Sequence, residues 1–120
     1  MKPTKEQIKE FWEKCGFVYD HWGDDLFIVC PDDKVPRPEP PLIDLNNLFK
    51  YAVPKVIGDY KYSLSLETDV DYQTREPTYT FSFSNDPLTI NSEATDKDPA
   101  DALFWAIREV FKWKLTGKSS

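Results

Sequence analysis

Residues 98–115 read Asp98-Pro99-Ala100-Asp101-Ala102-Leu103-Phe104-Trp105-Ala106-Ile107-Arg108-Glu109-Val110-Phe111-Lys112-Trp113-Lys114-Leu115. Asp98 is a good N-cap, because its carboxylate can accept from free N–H groups of a first helical turn. Pro99 suits the first helical position, where no N–H is needed. Leu103, Ala106, Ile107 and Val110 form one apolar stripe, and Phe104, Trp105, Phe111 and Trp113 widen it. A helix apolar most of the way round is buried by more than one partner. The fold is therefore expected to be layered, with this helix inside. Arg108 stands among those rings, where an arginine must be paired, must snorkel, or must await an anion.

Two strand runs precede that helix. Tyr60 to Glu67 alternates, with Tyr60, Tyr62, Leu64 and Leu66 on one face and Lys61, Ser63, Ser65 and Glu67 on the other. Thr78 to Ser84 does the same, with Tyr79, Phe81 and Phe83 opposed to Thr78, Thr80, Ser82 and Ser84. The polar loop 68–77, which holds Arg75, joins them into an antiparallel hairpin. Leu88 to Ser92 is read as a further short strand, and residues 93–97 as the lead into the last helix. One sheet face is aromatic. The other is Ser and Thr, and is read as solvated in preference to lining a groove.

Toward the N-terminus, Thr4-Lys5-Glu6-Gln7 fits a capping box. Ile8, Phe11 and Trp12 recur at helical spacing. A first helix over 5–14 should stop at Gly16, a natural C′ glycine. Phe17 to Trp22 and Leu26 to Cys30, separated by Gly23-Asp24-Asp25, read as a β-hairpin. Five prolines in 31–41 (Pro31, Pro36, Pro38, Pro40 and Pro41) exclude helix and central strand. Asp44 then caps a second helix through about Tyr51, which Pro54 ends or kinks. The expected fold is α+β: one antiparallel sheet of four to five strands with three helices, in the order αββαββ(β)α. Residues 1–116 are expected as a single ligand-binding domain and 117–120 as a disordered tail.

The 120 residues carry a net charge of −6, with a sequence pI near 4.7. That balance argues against DNA or RNA as a partner, which needs a basic field. No run approaches the roughly 20 apolar residues of a membrane span, and the charged N-terminus is unlike a signal peptide. Cys15 and Cys30 are expected as free thiols in a cytoplasmic protein.

Catalytic patterns are missing. The lone His21, beside Asp20, cannot build a metal site without close ligands. No Walker A, G-x-S-x-G, H-E-x-x-H or G-x-G-x-x-G occurs. Asp24-Asp25, Asp32-Asp33 and Asp69 with Asp71 fall in predicted turns, where Asp serves the backbone. No nucleophile, base and orienting group assemble, so neither an enzyme nor a cofactor is expected. The binding candidates are Arg108, to hold a phosphate by its planar fork, and Asn91, to read a base edge or ribose hydroxyl. Each also has a structural reading: an ion-paired arginine and a turn asparagine. Arg75 alone reads as a surface arginine, and Phe81 as core.

The stretch Pro40-Pro41-Leu42-Ile43-Asp44-Leu45-Asn46-Asn47-Leu48-Phe49-Lys50-Tyr51-Ala52-Val53-Pro54-Lys55, taken with Asp98 to Ile107, resembles small phage and prophage proteins of ABA-sandwich type. It is also similar to the Thoeris anti-defence sponge proteins of phages. That resemblance implies a non-catalytic role: sequestering, uncleaved, a cyclic ADP-ribose signal made by bacterial TIR-domain immunity proteins. Some such proteins assemble into dimers and hexamers and also hold cyclic oligonucleotides. The resemblance implies a pocket of Phe81, Asn91 and Arg108, with Arg75 as the second arginine. A cyclic ADP-ribose isomer is then the expected partner, with a homo-oligomer in the host cytoplasm. The aromatic share of 15% and the apolar girth of the last helix suit such an assembly. The competing reading is an acidic phage module that docks on and inhibits a host protein.

Overall fold

The computed structural model describes residues 2–31, 34–59, 61–85 and 90–115. The Asp32-Asp33 pair, Tyr60, Leu88 at the head of the expected strand, and the tail 117–120 lie outside the described residues, as does the side chain of Trp113. Contacts group the chain into two compact units. One is Pro3–Leu42; the other runs from Ile43 onward and includes Lys2.

In the first unit, α1 (Lys5–Lys14) opens with the expected capping box: the Thr4 side chain accepts from Gln7 N–H, and the Gln7 side chain accepts from Thr4 N–H. The helix closes in a Schellman motif. Gly16, at φ +98°, donates to Glu13 O and Phe17 donates to Trp12 O, which satisfies carbonyls the helix leaves open. The accompanying apolar contact is present, with the Trp12 and Phe17 rings 5.1 Å apart. A side chain at Gly16 would need that strained φ and would also meet Pro31 Cγ at 3.2 Å. The Trp12 indole N–H donates to Pro41 O at 3.0 Å.

β1 (Val18–Trp22) and β2 (Asp25–Val29) form the expected hairpin, with Gly23 at φ +65° at the first loop position. That is where a two-residue turn of type II′ needs glycine. The composition of the proline stretch predicts a stiff, extended connector or an arm that packs on a neighbour. The stretch supplies a strand, β3 (Pro36–Arg37), antiparallel to β2. It does so at the sheet edge, where a residue without an N–H is tolerated. Among the described residues Phe11, Trp12, Cys15, Phe17, Ile28 and Cys30 are the buried apolar side chains of this unit, and neither cysteine is in a disulfide.

In the second unit, Asp44 caps α2 (Leu45–Asn47) by accepting from Asn47 N–H at 2.8 Å. The helix neither stops at Tyr51 nor ends at Pro54. It passes through a π-helical segment, Leu48–Ala52, into α3 (Val53–Asp59). Val53 donates to Leu48 O, five residues back. Pro54 has no N–H to give and its ring would collide with a carbonyl one α-turn earlier. Widening the turn just before it to π geometry lets the rod continue.

β4 (Ser63–Val70), β5 (Pro77–Ser84) and β6 (Ser92–Asp96) make a second antiparallel meander in that order. The expected single sheet of four to five strands is thus corrected to two separate three-stranded sheets, in a chain that is α+β. The last strand also differs from expectation. It covers 92–96, so it shares only Ser92 with the expected strand and takes in residues expected as the lead into the helix. Its α4-facing residues, Ser92, Ala94 and Asp96, are small or polar, so the apolar alternation that announces a strand is missing.

α4 (Pro99–Leu115) packs on β5 and β6 on one side and against the π segment, α2 and α3 on the other. Ala102, Leu103, Phe104, Ala106 and Ile107 are fully buried. The girth of the last helix is therefore satisfied within its own unit. Among the described residues no helix is long and apolar enough to cross a membrane.

Candidate functional site

Arg108 lies on the wet stripe of α4 with Trp105 and the exposed Glu109. Its guanidinium carbon sits 5.5 Å from the centroid of the Trp105 ring, one turn back. Both side chains are half-buried. Among the described residues no carboxylate forms an ion pair with it. Of the three fates open to an arginine here, the observed one is a cation held over an indole ring.

Asn91 is tied into the connection before β6. Its N–H donates to Phe83 O at 2.9 Å and its Oδ1 accepts from Asn85 N–H at 3.0 Å. This is the turn role. Phe81 is 2% exposed and stands between Leu66 and Ala94 in the register, so it is core. Arg75 occupies the β4–β5 turn at φ +59°, exposed, its N–H donating to Asp71 O.

These four side chains do not converge. Arg75 precedes Pro77 at one end of β5, and Asn91 faces the other end at Phe83. A strand of that length spans roughly 25 Å at ~3.3 Å per residue. Arg108 belongs with Asn91: the buried Ser92 hydroxyl donates to Ala106 O, which places this part of α4 beside the start of β6. The structure thus brings Arg108, Trp105 and Asn91 to one end of the unit, leaves Phe81 beneath in the core and sets Arg75 at the far end.

The Ser/Thr face is on the side of the sheet away from α4. Its hydroxyls are cross-linked: Ser65 with Ser82 at 2.8 Å, Thr80 with Thr95 at 2.7 Å, and Ser63 to Ser84 O at 3.0 Å. It is open to solvent, as the solvated reading expects. Because the sheet separates this face from α4, one chain cannot apply both Arg108 and these hydroxyls to the same ligand.

Two ionic features escaped sequence reasoning. Lys2 reaches Asp98 at 3.2 Å and the buried Asp101 at 3.4 Å. Burial alone would push the Asp98 carboxyl up. The hydrogen bond from Lys2 and the N–H groups of Asp101 and Ala100 outweigh it and hold the carboxyl below its ordinary range. The helix-capping role of Asp98 was legible; a partner 96 residues away was not. In the first unit the Tyr19 hydroxyl is buried without a hydrogen-bond partner among the described residues. Burial, with the Glu13 carboxylate adding to it, pushes this phenol up to about 12.

Little else offers chemistry. His21 is exposed in β1, where its N–H goes to the Asp20 carboxylate at 2.8 Å. Asp71 accepts from Gln73 and Thr74 N–H, the turn role expected of it. No group of three or more His, Cys, Asp or Glu among the described residues could hold a metal ion. A shallow surface pocket on the first sheet is lined by Asp20, Phe27, Val29 and Pro36; its charged group is a carboxylate, which disfavours an anion. No family model, curated protein or solved structure matches the chain.

Proposed function

We propose that this chain is a non-catalytic binding protein that takes up a phosphate-bearing cyclic nucleotide of the cyclic ADP-ribose class. In this reading it acts as a phage sponge against Thoeris immunity, in the host cytoplasm. The observation that carries the proposal is Arg108, a guanidinium fixed over the Trp105 ring and unpaired with any described carboxylate. A pyrophosphate takes the planar fork, and the indole beside it offers apolar, edge-to-face contact for the base. Asn91 belongs to the same end of the unit. Phe81 supports the site from the core, and Arg75 serves it only if a second copy brings it near.

A sponge must outcompete the signal's receptor, which calls for nanomolar affinity, about −12 kcal/mol. One arginine and one indole cannot supply that, so the pocket is enclosed between copies of a homo-oligomer. The test is calorimetric titration with a cyclic ADP-ribose isomer, then heat release and chromatography of the ligand. Tight binding, intact ligand and loss of binding in Arg108→Ala with unchanged melting support the reading. No heat with this ligand or with cyclic di- and trinucleotides overturns it, and altered ligand would make the protein an enzyme.

The second reading is an acidic module that docks on a basic host protein. It is favoured by Glu67, Asp69 and Glu93, exposed on the open hydroxyl face. Charge reversal at these residues, with Arg108 left intact, would abolish function only in this second case.

A further inference from the structure

β4 is an edge strand of eight residues, paired among the described residues only with β5. The direction of its backbone groups follows from one bond. Asp71 N–H donates to Glu76 O at 3.1 Å, on the register that continues Val70 opposite Pro77. An antiparallel ladder alternates, so the odd-numbered residues of β4 bond to β5 and the even-numbered ones point their N–H and C=O outward. Both ends of the outward row are closed. Tyr62 N–H donates to Val56 O of α3, and Val70 N–H donates to the Asp69 carboxylate. What remains open is Leu64, Leu66 and Thr68, a window centred on Leu66.

Apolar side chains along this strand are also uncovered. α4 lies over β5 and β6, so on β4 Leu66 is left 50% exposed and Val70 49%. An open backbone row beside an apolar shelf is a template for another strand.

We infer that β4 pairs antiparallel with β4 of a second copy, Leu66 against Leu66, making one six-stranded sheet across a two-fold axis. Centring on Leu66 joins each outward group of Leu64 to Thr68 of the second copy, and Leu66 to itself, so the window is used in full. The charges choose the same register. Glu67 falls opposite Ser65, Asp69 opposite Ser63, and Asp71 opposite Lys61. Shifting the centre to Glu67 would set Glu67 against Glu67, a destabilising like-charge pair. Both α4 helices then lie on one side of the joint sheet and both hydroxyl faces on the other. The inference does not rest on the nucleotide reading, since association without ligand and ligand uptake by a monomer are measured separately.

Sedimentation equilibrium of the full chain tests association, and cysteine substitution tests the register. A dimer is expected. Leu66→Pro should shift it to monomer, because it removes only an outward N–H. Leu66→Lys, which keeps the backbone and sets like charges at the axis, should do the same and covers the case in which the proline variant fails to fold. Under mild oxidation Leu66→Cys should cross-link two chains, since directly opposed Cα atoms about 5.5 Å apart suit a disulfide. Val70→Cys, equally exposed, should not, its counterpart being about 27 Å away along the strand. A monomer at every concentration, a dimer indifferent to Leu66→Lys, or equal cross-linking at 66 and 70 would each overturn the inference.

Discussion

The sheet of residues 18–37 ends in β3, two residues long, where Pro36 has no N–H to offer. Its other edge, β1, turns Tyr19 and His21 outward, and the Asp20 carboxylate takes the His21 N–H. The sheet of residues 63–96 uses the same aspartate device at Asp69 and Val70, but β4 has no proline and leaves three consecutive outward positions open. Two meanders of equal strand number therefore differ in how they meet solvent. A short, proline-bearing edge terminates pairing, whereas a long edge with closed ends and an open middle specifies both a partner and a register.

The largest expected effect tests what anchors the longer sheet. Phe104 is fully buried on α4, and Phe104→Ala should cost about 3–5 kcal/mol in urea unfolding. A cost below ~1 kcal/mol would mean that α4 is not the cover of that sheet. Trp12→Ala removes the corresponding ring of the first unit and its bond to Pro41 O, with a loss in the same range.

Next is the Ser92 hydroxyl, which ties β6 to Ala106 O of α4. Ser92→Ala should cost about 1–2 kcal/mol by loss of a buried hydrogen bond. Ser65→Ala, on the open hydroxyl face, should cost well under ~1 kcal/mol. Equal costs would erase the distinction between the two faces of the sheet.

The caps come third. Thr4→Ala and Asp98→Ala should each cost about 1 kcal/mol, one in each unit. Asp98 adds a pH signature, since its folded carboxyl sits below its ordinary range. Its contribution is present above the unfolded value of ~3.9 and is lost as pH falls through the lower folded value. The stability gap between wild type and Asp98→Asn should therefore be widest near neutrality and close in acid. A gap unchanged by acid would remove Lys2 from the account.

The smallest effect belongs to Tyr19. Its hydroxyl is buried without a partner among the described residues, so Tyr19→Phe should not destabilise the chain and should add up to ~1 kcal/mol by removing an unsatisfied group. Spectrophotometric titration should find one phenol near 12, displaced from 10.0, with stability falling as pH rises through that interval.

Much of this was legible in residue order. Thr4 with Gln7, Gly16, Gly23 and Asp98 mark local events, and local events are written in adjacent residues. Strand alternation gave the faces of β4 and β5 correctly. What it could not give is partnership: nothing in Leu26 to Cys30 or in Tyr79 to Phe83 says that they belong to different sheets. β6 was hidden because Ser92, Ala94 and Asp96 are shaped to let α4 approach closely. The passage of the helix through Pro54 was hidden because its remedy, a π turn, has no compositional mark. Arg108 stood out by its surroundings, yet its resting place over Trp105 is a matter of rotamer. The separation of Arg75 from Asn91 follows from strand length, once pairing is known.

Amide hydrogen exchange, followed residue by residue at low and high protein concentration, reads the difference between the two edges most directly. The account predicts that Leu64, Leu66 and Thr68 N–H exchange freely when dilute and become protected as concentration rises, while Tyr19 N–H stays indifferent. Exchange at Leu66 that does not depend on concentration, or protection that grows equally at Tyr19, would contradict it.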